Sequence, residues 1–144
     1  YKMYVPMDDP NAMPMGGNGD WYIFRLAETY LLRAEAYYWK NNLAAAANDI
    51  NKVRARANAV PVEPNEVTLE FILDERAREL AGEYVRWTDL KRTHTLVEYA
   101  TKYNEDGIKE SAMIGPDGKY KILRPIPQAA IDLNQAKVTQ NPGY

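Results

Sequence analysis

The chain of 144 residues contains no cysteine and only one histidine, His94. The first absence excludes disulfides, thiolate metal sites, thiol nucleophiles and any lipid attached through cysteine within these residues. The second excludes a metal centre built from several histidines. Phenylalanine is nearly missing as well. Two phenylalanines stand against eleven tyrosines and three tryptophans, so the aromatic set carries polar tips and suits surfaces where one end of the ring stays wet. Apolar runs such as Leu43 to Ala47 fall far short of the roughly 18 residues a membrane-crossing helix needs. The first residues show no basic stretch followed by an apolar one, so no signal peptide is visible, and a start at Tyr1 instead of Met reads as processing or a cut fragment. Neither sign of charge dominates. Eighteen Lys and Arg against twenty Asp and Glu leave −2, which gives no whole-chain electrostatic footprint for nucleic acid or an anionic membrane.

What is present is the composition of a globular domain, 46% hydrophobic and 26% charged, which argues against disorder and low complexity. Residues 1–20 hold four of the five methionines and the run Gly16-Gly17-Asn18-Gly19, and they read as an irregular lead-in from an upstream region. Residues 21–144 read as a mainly α-helical domain. Asp20 is positioned to cap a first helix in which Ile23, Leu26, Ala27, Tyr30, Leu31 and Ala34 share one face, ending near Lys40. Asn41-Asn42 breaks it, and Leu43, Ala46, Ile50, Val53 and Ala57 mark a second helix antiparallel to the first. The pair has the pattern of a tetratricopeptide-type repeat. Thr68 caps a third helix through Leu80, and the apolar pattern resumes after Gly82, predicting a kink and then a helix to about Tyr103. Pro116-Asp117-Gly118 predicts a β-turn flanked by a short extended pair. Pro125 and Pro127 force the segment 121–127 to be extended, with a short helix from Gln128 to about Leu133 after it.

Residues able to carry chemistry are few. His94 has Thr93, Thr95 and Asp89 nearby, and on an amphipathic helix it reads as a surface or capping residue before a general base. Glu75 and Glu79 stand one helical turn apart, the spacing that paired carboxylate catalysis would use. Arg76, Arg78, Arg86 and Arg92 interleave with Asp74, Glu75, Glu79, Glu83 and Asp89, and this dense alternation reads as a partly buried ion-pair network, with Asp74 and Arg78 in the favourable acid-before-base order. The glycine run has no preceding strand and no following lysine, so it fits neither a P-loop nor a dinucleotide fold. Lys52, Arg54 and Arg56 form only a short basic stretch. Trp21, Tyr22, Trp39 and Trp87 are the rings large enough to stack on a sugar, each on a predicted helix where packing is the commoner role.

Taken in order, five blocks of sequence resemble one family. They are Arg25 to Ala36 (RLAETYLLRAEA), Ile50 to Ala57 (INKVRARA), Glu75 to Leu80 with Gly82-Glu83, Arg86 to Arg92 (RWTDLKR), and the ending Leu123-Arg124-Pro125-Ile126-Pro127 with Gln140-Asn141-Pro142-Gly143-Tyr144. The set is similar to the C-terminal region of SusD-like (RagB/SusD) proteins. Ala81 before Gly82 and Arg124 before Pro125 depart from that pattern, where an aromatic and an apolar residue are common. The resemblance implies a surface-exposed outer-membrane lipoprotein that binds an oligosaccharide or polysaccharide and passes it to a SusC-like TonB-dependent transporter. It implies no catalysis and no cofactor, metal or nucleic-acid partner, and contact with the membrane only through an N-terminal lipid anchor outside this chain. It carries over no ligand-binding residue, and it implies a structural role for Glu75 to Arg92. The alternative reading of the residues is a soluble tetratricopeptide-like adaptor that binds protein or peptide partners.

Overall fold

Helix formation follows the three- and four-residue apolar spacing closely. The computed structural model describes residues 23–144, in which α1 spans Leu26–Trp39, α2 Leu43–Arg56 and α3 Leu69–Glu79. Helix α1 starts later than its pattern suggests, with Arg25 at the N-cap and no side-chain cap; Asp20, Trp21, Tyr22 and the glycine run lie outside the described residues. The other starts are as expected. Asn42 accepts from the Ala45 N–H (3.2 Å) and Thr68 from the Phe71 N–H (3.0 Å), each satisfying a first-turn donor that has no partner within the helix.

The ends of α1 and α2 are closed in the same way. Asn41 and Asn58 sit at φ 56° and 54°. The next N–H in each case reaches back, Asn42 to the Tyr37 carbonyl and Ala59 to the Arg54 carbonyl, which is the Schellman closure. Asparagine tolerates this left-handed position better than most side chains.

Helices α1 and α2 form the antiparallel hairpin, and α3 packs across both. Between them lies a core of Leu31, Ala34, Ala46, Ala47, Ile50, Val53, Val62, Val67 and Ile72. The three alanines let the helix backbones approach, while each fully buried Leu or Ile contributes about 1.5–3 kcal/mol. The linker from α2 to α3 is pinned by one side chain. Asn51 accepts from the Val62 N–H (2.8 Å) and donates to the Val62 carbonyl (3.0 Å), giving that backbone the pairing a neighbouring strand would supply. A 3₁₀ turn follows over Pro64–Glu66.

The helix expected to run on to Tyr103 is two helices, α4 (Arg86–Arg92) and α5 (Leu96–Tyr103). The break is a third Schellman closure. His94, at φ 59°, donates to the Lys91 carbonyl and Thr95 donates to the Leu90 carbonyl, so the chain turns out of the helical path before it can continue.

The described chain divides into two compact units, one ending at Arg86 and one spanning Trp87–Tyr144. The second contains α5, a 3₁₀ turn over Glu110–Met113 and α6 (Gln128–Asp132). The expected extended pair is reduced to a single antiparallel bridge, Ile114 with Tyr120, around the turn closed by the Gly118 N–H on the Gly115 carbonyl (3.0 Å). Among the described residues there is no β-strand, and no helix is long and apolar enough to cross a membrane.

The last residues of the second unit are held by side chains because prolines forbid a backbone ladder. Gln140 accepts from the Ile126 N–H (2.7 Å) and donates to the Ile126 carbonyl (2.9 Å), between Pro125 and Pro127. Asn141 donates to the Arg124 carbonyl (2.7 Å), and the Gly143 N–H donates to Asp117 (3.0 Å). The approach is so close that a β-carbon on Gly115 would lie 2.0 Å from the Gly143 carbonyl oxygen, and Gly143 itself sits at φ 95°.

Two outcomes are expected. Asn51→Ala removes both bonds to Val62 and should destabilise the first unit by about 1–3 kcal/mol, read by urea unfolding. The amide bonds from Gly143 and then Lys119 hold the Asp117 carboxyl below its ordinary value. A carboxyl depressed in the folded state contributes above its unfolded value of about 3.9 and loses that contribution as pH falls through the folded value. The Gly143 amide resonance should therefore stay unchanged from pH 7 to about 5 and move only under acid below about 4; Asp117→Asn should abolish that step.

Candidate functional site

Two groupings of polar side chains stand out, one in each unit. In the first unit the carboxylates of α3 are met by arginines from α2, from α3 itself and from Arg25, the residue before α1. Glu75 accepts from Arg54 (2.6 Å) and Arg78 (2.8 Å). Glu79 accepts from Arg25 (2.7 Å) and Arg56 (2.8 Å), and Arg25 also pairs with Glu83 (2.8 Å). Arg25 is thus held above its ordinary pKa, chiefly by the bond to Glu83, against an opposing effect of burial. Arg33 binds Asp49 through two parallel bonds of 2.6 and 2.7 Å; in the second unit, Arg92 binds Asp89 at 2.8 Å. Arg76, 2% exposed, lies 3.7 Å from Glu28.

The network expected around α3 is therefore real, but its partners differ from those spacing suggests. Arg78 turns to Glu75 instead of Asp74, and Asp74 lies 3.9 Å from Arg86, whose guanidinium also donates to the Leu73 carbonyl. Arg54 and Arg56, read as part of a short basic stretch, are taken up by Glu75 and Glu79. Arg25 and Arg33 were missed altogether, because their partners are remote in sequence. One of them had a signal: Arg33 and Asp49 each lie eight residues from Asn41, so folding the hairpin about that turn brings them together. The pair Glu75 and Glu79 has the spacing of acid and base, yet both carboxylates serve as ties between helices.

Of the stacking candidates, Trp39 and Trp87 fall among the described residues, one in each unit. Trp39, 63% exposed at the end of α1, stands edge-to-face with Tyr38 at 5.1 Å. Trp87, in the second unit, has the Arg124 guanidinium 5.8 Å over its ring.

The second grouping is an open groove of about 550 Å³ in the second unit. Lys91, His94, Glu98, Thr101, Glu110 and Tyr120 supply its polar atoms, and Leu96, Val97 and Ile122 its apolar wall. His94 comes to it by way of the left-handed turn that ends α4. Tyr120 donates its hydroxyl to Glu110, and this bond holds the phenol above its ordinary pKa, so it stays protonated at neutral pH. Thr101 donates back to the Val97 and Glu98 carbonyls at 3.0 Å and keeps its oxygen as an acceptor. No set of three His, Asp or Glu side chains among the described residues is arranged to hold a metal ion. Spacing singled out His94 alone among these residues; the others meet only through the turn at 115–118 and the break at His94.

Removing Arg25 takes one cation from Glu79 and the Arg25 partner from Glu83. Arg25→Met should therefore destabilise the first unit by about 1–3 kcal/mol, less than a fully buried pair would lose because Arg56 remains. Thermal unfolding followed by circular dichroism checks this.

The model described as the SusD family matches residues 1–144. The chain is 36% identical over 124 residues to the starch-binding protein SusD of Bacteroides thetaiotaomicron, covering 85% of this chain and 21% of that protein. It is 33% identical over 134 residues to SusD-like protein P25 of Formosa agariphila, covering 89% and 25% respectively. SusD-like protein P2 of the same organism is 28% identical over 159 residues, covering 100% of this chain and 29% of that protein. The chain thus spans about a fifth to three tenths of the length of these relatives. No solved structure matches.

Proposed function

The chain belongs to the SusD family, and from that membership we propose that it is part of a non-catalytic, cell-surface glycan-binding protein that hands oligosaccharide to a SusC-like TonB-dependent transporter in the outer membrane. The observation that carries this is the family match along all 144 residues. Residues 21–144 act in this reading as the helical C-terminal domain of that protein, residues 1–20 as the segment leading into it, and a lipid anchor on an upstream cysteine holds the whole to the membrane.

The ion-pair network supports a scaffold role for α3. Its carboxylates tie together three helices, which suits a layer that keeps a binding surface in shape and gives them no substrate to act on. Starch fragments are the first ligands to test, because a relative 36% identical is named a starch-binding protein.

The experiment is affinity electrophoresis of the full-length protein in gels containing starch and other neutral polysaccharides, with tagged protein recovered from detergent-solubilised outer membranes. Retardation in at least one glycan and co-purification of a TonB-dependent barrel are expected. Recovery in the cytosol with a peptide partner, and no retardation in any gel, would favour the adaptor instead.

A further inference from the structure

Resting on the glycan-binding reading, we propose that the groove of the second unit is a subsite for one neutral sugar ring. Its volume, about 550 Å³, lies within the range of about 300–1,000 Å³ usual for small-molecule sites. The chemistry of its walls matches a saccharide on both counts that matter. Hydroxyl groups need donors and acceptors side by side, and here Lys91 donates, His94 does either, and Glu98, Glu110 and Thr101 accept. The C–H face of a sugar needs a flat or apolar surface, which the Tyr120 ring and Ile122 supply. One lysine against two glutamates leaves the groove without excess positive charge, which selects against acidic sugars.

The backbone at His94 adds an independent observation. The residue occupies the left-handed position that closes α4, where glycine is the usual choice and a side chain is strained. Glycine would make the same turn with less strain. What histidine adds is an imidazole on the rim of the groove, able to donate from one nitrogen and accept at the other.

Because His94 is the one histidine, its ring C2–H gives a single resolved proton signal in the 144-residue chain. Titration with maltotriose should move that signal saturably, together with the Glu98 and Thr101 amides, while trigalacturonate should not. His94→Gly keeps the turn and should preserve the dispersion of the spectrum. It should weaken binding, followed at the Thr101 amide, by about three- to tenfold, the worth of one hydrogen bond. Tyr120→Ala should weaken it further. No saturable shift with maltotriose, equal response to the acidic sugar, or unchanged affinity in both variants would overturn the subsite. If the variants leave glycan retardation of the full-length protein intact and the titration is silent, the subsite fails alone. Absence of retardation in the wild-type protein defeats the broader reading instead.

Discussion

Two buried carboxylates on α3 set the terms for the first unit. Glu75 and Glu79 are each less than a tenth exposed, and an ion withdrawn from water to that extent loses several kcal/mol of hydration unless a cation is brought to it. Besides Arg78 on α3 itself, the cations come from elsewhere in the fold: Arg54 and Arg56 from the last turn of α2, and Arg25 from the residue before α1. Each of the latter therefore reports on the relative placement of two helices. The arginines at the end of α2 also sit where the helix dipole favours positive charge. A shift of α3 by one turn would part Glu75 from Arg54 and Glu79 from Arg25 and Arg56, so the network helps define the register that the small, alanine-rich core would specify only loosely.

A second device recurs in both units. Where proline removes a backbone donor, a side-chain carboxamide takes the place of a neighbouring strand. Asn51 does this for Val62, which follows Pro61, and Gln140 for Ile126, which lies between two prolines. Each amide offers one donor and one acceptor at the spacing of a peptide group, so one side chain satisfies both polar groups of the residue it faces. Irregular segments are in this way ordered without forming a sheet. The same economy shows at the helix ends, where Asn41, Asn58 and His94 stand in for glycine.

Function enters through the family and not through a catalytic constellation. The acidic pair that could have suggested hydrolysis is bound up in holding helices together. What the second unit offers is a shallow, mixed polar and apolar groove, assembled where a helix is interrupted and a turn folds back.

The helical elements, their starts at Asn42 and Thr68, and the break at Asn41-Asn42 were legible in the sequence because they rest on local facts: apolar periodicity, and side chains able to cap the turn beside them. The presence of an ion-pair network around α3 was legible for the same reason, since alternating charges at helical spacing are a local pattern. Its partners were not. Arg25 meets Glu79 and Glu83 across more than fifty residues of chain, and only the packing of α3 on the hairpin brings them within reach. The interruption at His94 escaped notice because the apolar pattern continues through it, and the left-handed turn depends on carbonyls already fixed by α4. The groove belongs wholly to tertiary structure. Lys91 and Tyr120 become neighbours through turns whose direction no single stretch of sequence dictates, whereas the family itself is written in ordered local blocks that survive without any coordinates.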